Sequence, residues 1–174
     1  MAKHKEEKTN VMRLLDRRRV PYTPHLCAEA DSPLGDREYG LHLARALGQD
    51  AARVYKTLVA RGARGGPYVF CIPAAETLDL RKAARAVGEK SVELVAVKEL
   101  LPLTGYIRGG CSPIGMKKPL PTWFHESIMS YETIYCSAGQ RGLQFCIAPA
   151  DLIRAAKGQL ADLIDLRDPN STNQ

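Results

Sequence analysis

Hydrophobic positions along the chain change period several times, and each change marks an element. Over 9–19, Val11, Leu14 and Leu15 recur at helical spacing between Arg13, Arg17 and Arg18, and Thr9 or Asn10 can cap the start, which predicts a first amphipathic helix. Pro21 ends it. Residues 22–27 read as a short strand that Pro24 confines to an edge or a bulge, and 29–36, with Asp31, Ser32, Pro33 and Gly35, as a loop. Tyr39, Leu43, Ala46 and Leu47 trace a second helical stripe closed by Gly48. The β-branched run 54–60, the glycine-rich turn after it and the run 68–73 predict a strand pair. A further helix over 79–87 carries Leu80, Ala83, Ala84 and Val87 on one face and ends at Gly88; a short strand at 92–95 and a short helix at 97–102 follow. The stretch 104–121 holds four glycines and three prolines and cannot be regular throughout. Alternating runs at 133–138 and 143–148 flank the turn 139–142 and make the clearest hairpin. Residues 151–163 read as a C-terminal helix interrupted at Gly158. The expected fold is α+β: one compact domain over 9–165, with a mixed, strongly curved β-sheet flanked by helices, between a flexible 1–8 and a disordered tail at 166–174.

The length of 174 residues at 45% hydrophobic content suits one domain with a real core. No apolar run approaches the roughly 20 residues of a membrane-spanning helix. The opening MAKHKEEKTN lacks the apolar block of a secretory signal, so the expectation is a soluble cytoplasmic protein without a membrane partner. A net charge of +6 changes the picture by placing a polyanion, nucleic acid first, among the candidate partners. Its basic residues cluster at 17–19, at Arg61 and Arg64, at Arg81, Lys82 and Arg85, and at Lys117 and Lys118; Tyr39, Tyr55, Tyr106 and Trp123 are candidate stacking surfaces for an unpaired base. Five cysteines without a C-x-x-C pair and four scattered histidines suggest no disulfide framework, metal or cofactor.

Lys56 breaks an otherwise apolar strand face shared with Val54, Leu58 and Ala60, either snorkelling to the rim or projecting into a cleft to meet an anion. Gly110 and Gly115 have the spacing of a phosphate loop, but Met116 stands where the lysine belongs. What remains is a backbone that a ligand can approach closely, or a plain turn. Cys111 with His25 or His125 is a candidate thiol nucleophile and base, against the alternative of a small packed side chain. Ser112 lacks the surroundings of a nucleophile elbow.

The segments VYKTLV, LDLRKAARAVGEKSVEL, TGYIRGGCSPIGMKKPLPTW and TIYCSAGQRGLQFCIAPADL together resemble the YbaK/EbsC family of aminoacyl-tRNA deacylases, relatives of the editing domain inserted in bacterial prolyl-tRNA synthetases. The resemblance runs from about Val11 to Leu163. It implies a trans-editing hydrolase that needs no cofactor and removes a wrong amino acid, typically Cys, from charged tRNA(Pro), with prolyl-tRNA synthetase a potential partner. The Lys of the K-T-L motif falls on Lys56, with Thr57 beside it, and in the family orients the 3′-terminal adenosine and its phosphate. The loop glycines fall on Gly109 and Gly110, followed by Ser112 and Pro113, where backbone amides would hold the ester carbonyl. In cysteine-editing members the substrate's own thiol attacks its ester carbonyl, so the protein supplies positioning. Tyr39 matches an aromatic at the pocket entrance. Cys27 stands where such members carry a Tyr and Gln144 where they carry an Asp, so the resemblance leaves open another small amino acid, or a module that binds tRNA or a synthetase without turnover.

Overall fold

The structure, a computed structural model, describes residues 8–27 and 35–166. The terminal segments therefore lie outside it apart from Lys8 and Leu166, and of the loop 29–36 only Gly35 and Asp36 are described. Helix α1 (Asn10–Arg17) starts at Thr9, whose hydroxyl accepts from the Met12 N–H, and buries Val11, Met12 and Leu15. Strand β1 (Thr23–Leu26) is an edge strand, as Pro24 requires. Helix α2 (Asp36–Leu47) ends on Gly48 at φ 64°. Strands β2 (Tyr55–Gly62) and β3 (Tyr68–Pro73) pair antiparallel, helix α3 (Leu80–Val87) is capped by Asp79 and closed by Gly88, and β4 (Val92–Leu94) and α4 (Val97–Thr104) follow. After the irregular stretch come β5 (Thr122–His125), the hairpin of β6 (Ile134–Gln140) and β7 (Leu143–Ile147), helix α5 (Pro149–Ala156) and β8 (Gln159–Ala161).

The strands do not form one strongly curved sheet. They form two open ones, a mixed five-stranded sheet in the order β4-β2-β3-β5-β8 and an antiparallel three-stranded sheet in the order β1-β7-β6. The two touch through a single backbone bridge between Val54 and Tyr135. Beyond that bridge, side chains rather than backbone bonds join β2 to β6, since Tyr55, Val59, Ile134, Cys136 and Ala138 belong to one core cluster. Alternation along β2 and β3 was legible and holds, with Val69 and Cys71 in this core and Phe70 and Ile72 in a second one against α3 and Trp123. Both faces of β3 are thus covered, which is why it reads as a continuous apolar run. A third cluster of Cys27, Leu43, Ala44, Val54, Ala74 and Tyr135 seats α2 over the junction of the sheets.

The C-terminal helix is also shorter than the pattern over 151–163 suggests. It stops at Ala156, Lys157 takes φ 52°, and the chain returns as β8, parallel to β5. A Cβ on Gly158 would lie 2.3 Å from the Phe124 ring, so the glycine permits a close crossing. Neither β5 nor β8 has an alternating pattern: Thr122, Trp123, Phe124 and His125 are all buried, and three residues are too few to show a period.

Candidate active site

The gap that keeps the two sheets apart contains a cavity of about 230 Å³. Its walls come from six places in the chain: Tyr39 on α2, residues 54–59 into β2, Ala74 after β3, the β4–α4 segment from Leu94 to Leu100, the loop residues Arg108, Gly109 and Cys111, and Ser137 and Gln144 on the hairpin. Lys56 is half-buried here, in register with Ile72 of β3. Thr57 follows it on the other face, its hydroxyl 3.5 Å from the Cys71 sulfur. Tyr55 is buried at the same wall, its hydroxyl 2.8 Å from that of Ser127, and burial pushes its pKa up to about 12.

The loop opposite β2 is held from below. Gly109 has φ 84°, and a Cβ there would lie 2.4 Å from Arg141 Nη1, so only glycine fits. The Gly110 N–H donates to the Ile107 carbonyl at 3.0 Å, closing a turn, while the Gly110 carbonyl accepts from Ser137 Oγ at 3.0 Å. Ser112 and Pro113 are buried under the loop, where Ser112 Oγ accepts from the Ile114 N–H at 3.4 Å and the Tyr106 hydroxyl donates to the Ile114 carbonyl. Neither lines the cavity. Cys27 does not line it either: it sits in the third core cluster, and its N–H donates to the Gly142 carbonyl at 2.6 Å. Tyr39, Lys56, Thr57, Gly109 and Gln144 are therefore brought together, with Gly110 directly beneath, while Cys27, Ser112 and Pro113 support the frame.

Gln144 is 2% exposed and in register with Ser137 on one side and His25 on the other. Among the described residues, its Oε1 is a buried side-chain oxygen without a hydrogen-bond partner. Leaving a buried acceptor unpaired costs about 1–3 kcal/mol. Cys111 also reaches the cavity, but burial pushes its thiol up to about 12, and neither His25 nor His125 lines the space beside it. His25 packs edge-on against Tyr135, and His125 Nδ1 accepts from the Leu163 N–H at 3.1 Å. Cys111 is thus a packed thiol rather than a nucleophile.

Of the four candidate stacking aromatics, Tyr55, Tyr106 and Trp123 are buried and only Tyr39 is partly open, at the cavity mouth. Within the basic clusters, Arg61 pairs with Glu99 at 3.0 Å and Lys82 with Asp162 at 2.9 Å. Sequence reasoning missed Arg108, Ser137 and Arg141. Arg108 adjoins the glycine pair and was open to notice; Ser137 and Arg141 carry no signal, because a serine in a strand and an arginine in a hairpin turn read as ordinary surface residues.

Comparison with known proteins gives the family of the chain. The family model for the aminoacyl-tRNA editing domain matches residues 41–155, a span that contains Lys56, the glycine loop and Gln144. The chain belongs to the aminoacyl-tRNA editing family. Within it, the chain is 43% identical over 164 residues to EbsC of Enterococcus faecalis, a candidate Cys-tRNA(Pro)/Cys-tRNA(Cys) deacylase, covering 94% of this chain and 98% of that one. It also resembles the crystal structure of a candidate trans-editing enzyme for prolyl-tRNA synthetase, at 28% identity and a TM-score of 0.74, covering 90% of this chain and 95% of that one. A hypothetical protein, APE2540, shares the fold at a TM-score of 0.79 and 22% identity, covering 90% of this chain and all of that one. This is the YbaK/EbsC branch of the editing family. Among the described residues, no three His, Cys, Asp or Glu side chains are grouped to hold a metal ion, and no helix is long and apolar enough to cross a membrane.

Proposed function

We propose that this chain is a trans-editing deacylase that hydrolyses the ester of mischarged aminoacyl-tRNA, foremost Cys-tRNA(Pro). The observation that carries the reading is one cavity lined by Lys56, Gly109 and Gln144, the last with an unpaired side-chain oxygen. A lysine ammonium at the rim suits the phosphate and sugar of the 3′-terminal adenosine. Thr57 beside it and Tyr39 at the mouth bound the same end of the substrate. The ester carbonyl then faces the glycine loop. Because the Gly110 N–H is engaged in its turn, the amides of Gly109 and Cys111 are the donors offered to the developing oxyanion. Ser112, Pro113 and Cys27 act through the frame, by fixing the loop and the hairpin turn.

The thiol in this reaction is the substrate's. Attack of a cysteinyl sulfur on its own ester carbonyl breaks the carbonyl–ribose oxygen bond, and the ribose oxygen leaves as a hydroxyl with the thiol's proton. Water then opens the cyclic thioester to free cysteine. The attack needs the aminoacyl group folded and held, which is what a small, mostly apolar cavity supplies. Gln144 offers its carbonyl to the aminoacyl ammonium. A neutral acceptor holds that group less tightly than a carboxylate does, for every aminoacyl group alike, so a second reading in which another small amino acid, such as alanine, is removed stays beside the first. Proline is rejected by ring bulk, since a pocket separates side chains one methylene apart by only about 1–3 kcal/mol. The tRNA isoacceptor is selected outside this cavity, with prolyl-tRNA synthetase as the partner that supplies tRNA(Pro) in the cytoplasm, and the acting unit is the single domain at 9–165.

Release of labelled amino acid from Cys-tRNA(Pro) and Ala-tRNA(Pro) tests this directly. Wild type is expected to release Cys and Lys56→Ala to lose roughly 100-fold or more while keeping its melting temperature. Release of Ala alone selects the second reading. Hydrolysis of neither, with tRNA still bound in a salt-sensitive manner, makes the chain a binding module.

A further inference from the structure

The hairpin turn between β6 and β7 does more than reverse the chain. It grips the glycine loop on both sides of Gly109: Arg141 Nη1 donates to the Arg108 carbonyl at 3.1 Å, and Ser137 Oγ donates to the Gly110 carbonyl at 3.0 Å. The 108–109 and 110–111 peptide planes, on either side of the 109–110 peptide, are thereby oriented by one neighbouring hairpin. The fit beneath them is close, since a Cβ on Gly110 would lie 3.2 Å from the Arg141 nitrogen. The same arginine reaches the other side of the mouth, its guanidinium carbon 4.6 Å from the centre of the Tyr39 ring. The next residue completes the link, with the Gly142 N–H donating to the Tyr39 hydroxyl at 3.2 Å. A register irregularity between Ser137 and Gln140 sets the turn at the angle that allows all four contacts.

We infer that Arg141 is a positioning residue for deacylation: its guanidinium locks the Arg108–Gly109 peptide and the Tyr39 ring into one clasp across the cavity mouth. This rests on the proposed function, because the locked peptide is the one that would meet the ester. Arg141 is not among the residues that line the cavity. One face of its planar fork is stacked on Tyr39 and one N–H is engaged inward, an arrangement that a lysine ammonium cannot reproduce in full. A role as a phosphate contact predicts different kinetics, which makes the two separable.

The test uses the full chain with Arg141→Ala and Arg141→Lys. Cys-tRNA(Pro) hydrolysis is followed across salt concentrations, and amide hydrogen exchange is followed over 105–112 without substrate. Arg141→Ala is expected to lower kcat roughly 10- to 100-fold with KM within about twofold and the salt slope unchanged, to speed exchange across 108–111, and to recover partly with free guanidinium in solution. Arg141→Lys falls between alanine and wild type. Unchanged exchange in Arg141→Ala overturns the inference, as does a kcat equal to wild type's. A raised KM with unchanged kcat and a salt slope shallower by about one overturns it in favour of a phosphate contact. If wild type releases no amino acid, the proposed function falls and the exchange measurement alone decides whether Arg141 holds the loop. If Arg141→Ala does not fold, Arg141→Lys carries the same criteria.

Discussion

Two buried polar side chains, His125 and Gln144, sit in opposite regions of this molecule and are treated in opposite ways. His125 is 6% exposed at the end of β5, and its Nδ1 is matched to the Leu163 N–H, so it helps fasten the segment after β8. Gln144 is 2% exposed on β7, and its Oε1 is matched to nothing among the described residues. Burial is equal and satisfaction is not. On the proposed function, the unpaired oxygen is the acceptor for the substrate's ammonium, and its burial without a partner is the observation to be tested. His125 Nδ1 is satisfied within the fold, whereas among the described residues Gln144 Oε1 is not.

The largest effect expected is at the cavity wall formed by the glycine loop. Gly109→Ala must place a side chain at φ 84° and against the Arg141 guanidinium, and deacylation is expected to fall roughly 100-fold or more, a larger effect than the change in melting temperature accounts for. Equal activity in Gly109→Ala would remove the loop from the mechanism. The direct comparison pairs Gln144→Leu with His125→Leu. Gln144→Leu removes an unpaired acceptor, so its melting temperature is expected to hold or rise while aminoacyl-ester hydrolysis drops roughly 10- to 100-fold, the worth of a hydrogen bond to a charged group. His125→Leu strands the Leu163 N–H and is expected to cost about 1–3 kcal/mol, or about 2–4 °C per kcal/mol, with kcat unchanged. Should both variants lose stability alike, Gln144 is a structural residue and the contrast fails.

The smallest effect is in the pH dependence of stability. Burial holds the His125 pKa below its ordinary value, and the nearby charges of Asp162 and Glu126 oppose that only in part. The unfolded chain therefore takes up this proton first as pH falls. The contribution of His125 is complete above about pH 6.5 and is lost as pH drops through that value toward the folded-state pKa. A thermal melt series is expected to show wild type losing stability below about pH 6.5. His125→Gln should lose less over the same range, and parallel curves for the two proteins would assign the loss to other groups.

The order of helices and strands up to residue 104 was legible because each rests on a local rule: a capped apolar stripe, a β-branched run, or a glycine that ends a helix. The hairpin was legible for the same reason. Strands β5 and β8 were not, since a strand buried on both faces and a strand of three residues have no period to read. The form of the sheet was also beyond local rules. Whether β6 adds to β2 or stands away from it depends on Tyr55, Val59 and Cys136 meeting across the gap, and on nothing that spacing in either strand alone records.

The same division runs through the site. Sequence by itself determined that Lys56 lies in an apolar strand, that 104–121 is an irregular glycine-rich loop, and that both match an editing family, because these properties belong to runs of consecutive residues. Tertiary structure decided that Lys56 and Gly109 face one cavity, that Ser112, Pro113 and Cys27 serve the frame instead, and that Gln144 is left unpaired. It also decided the contacts of Arg141, which sits 32 to 33 positions along the chain from Gly109 and Arg108 and meets them only because the hairpin folds back against the loop. Contacts at that separation are fixed by how sheets pack, and side-chain spacing does not encode them.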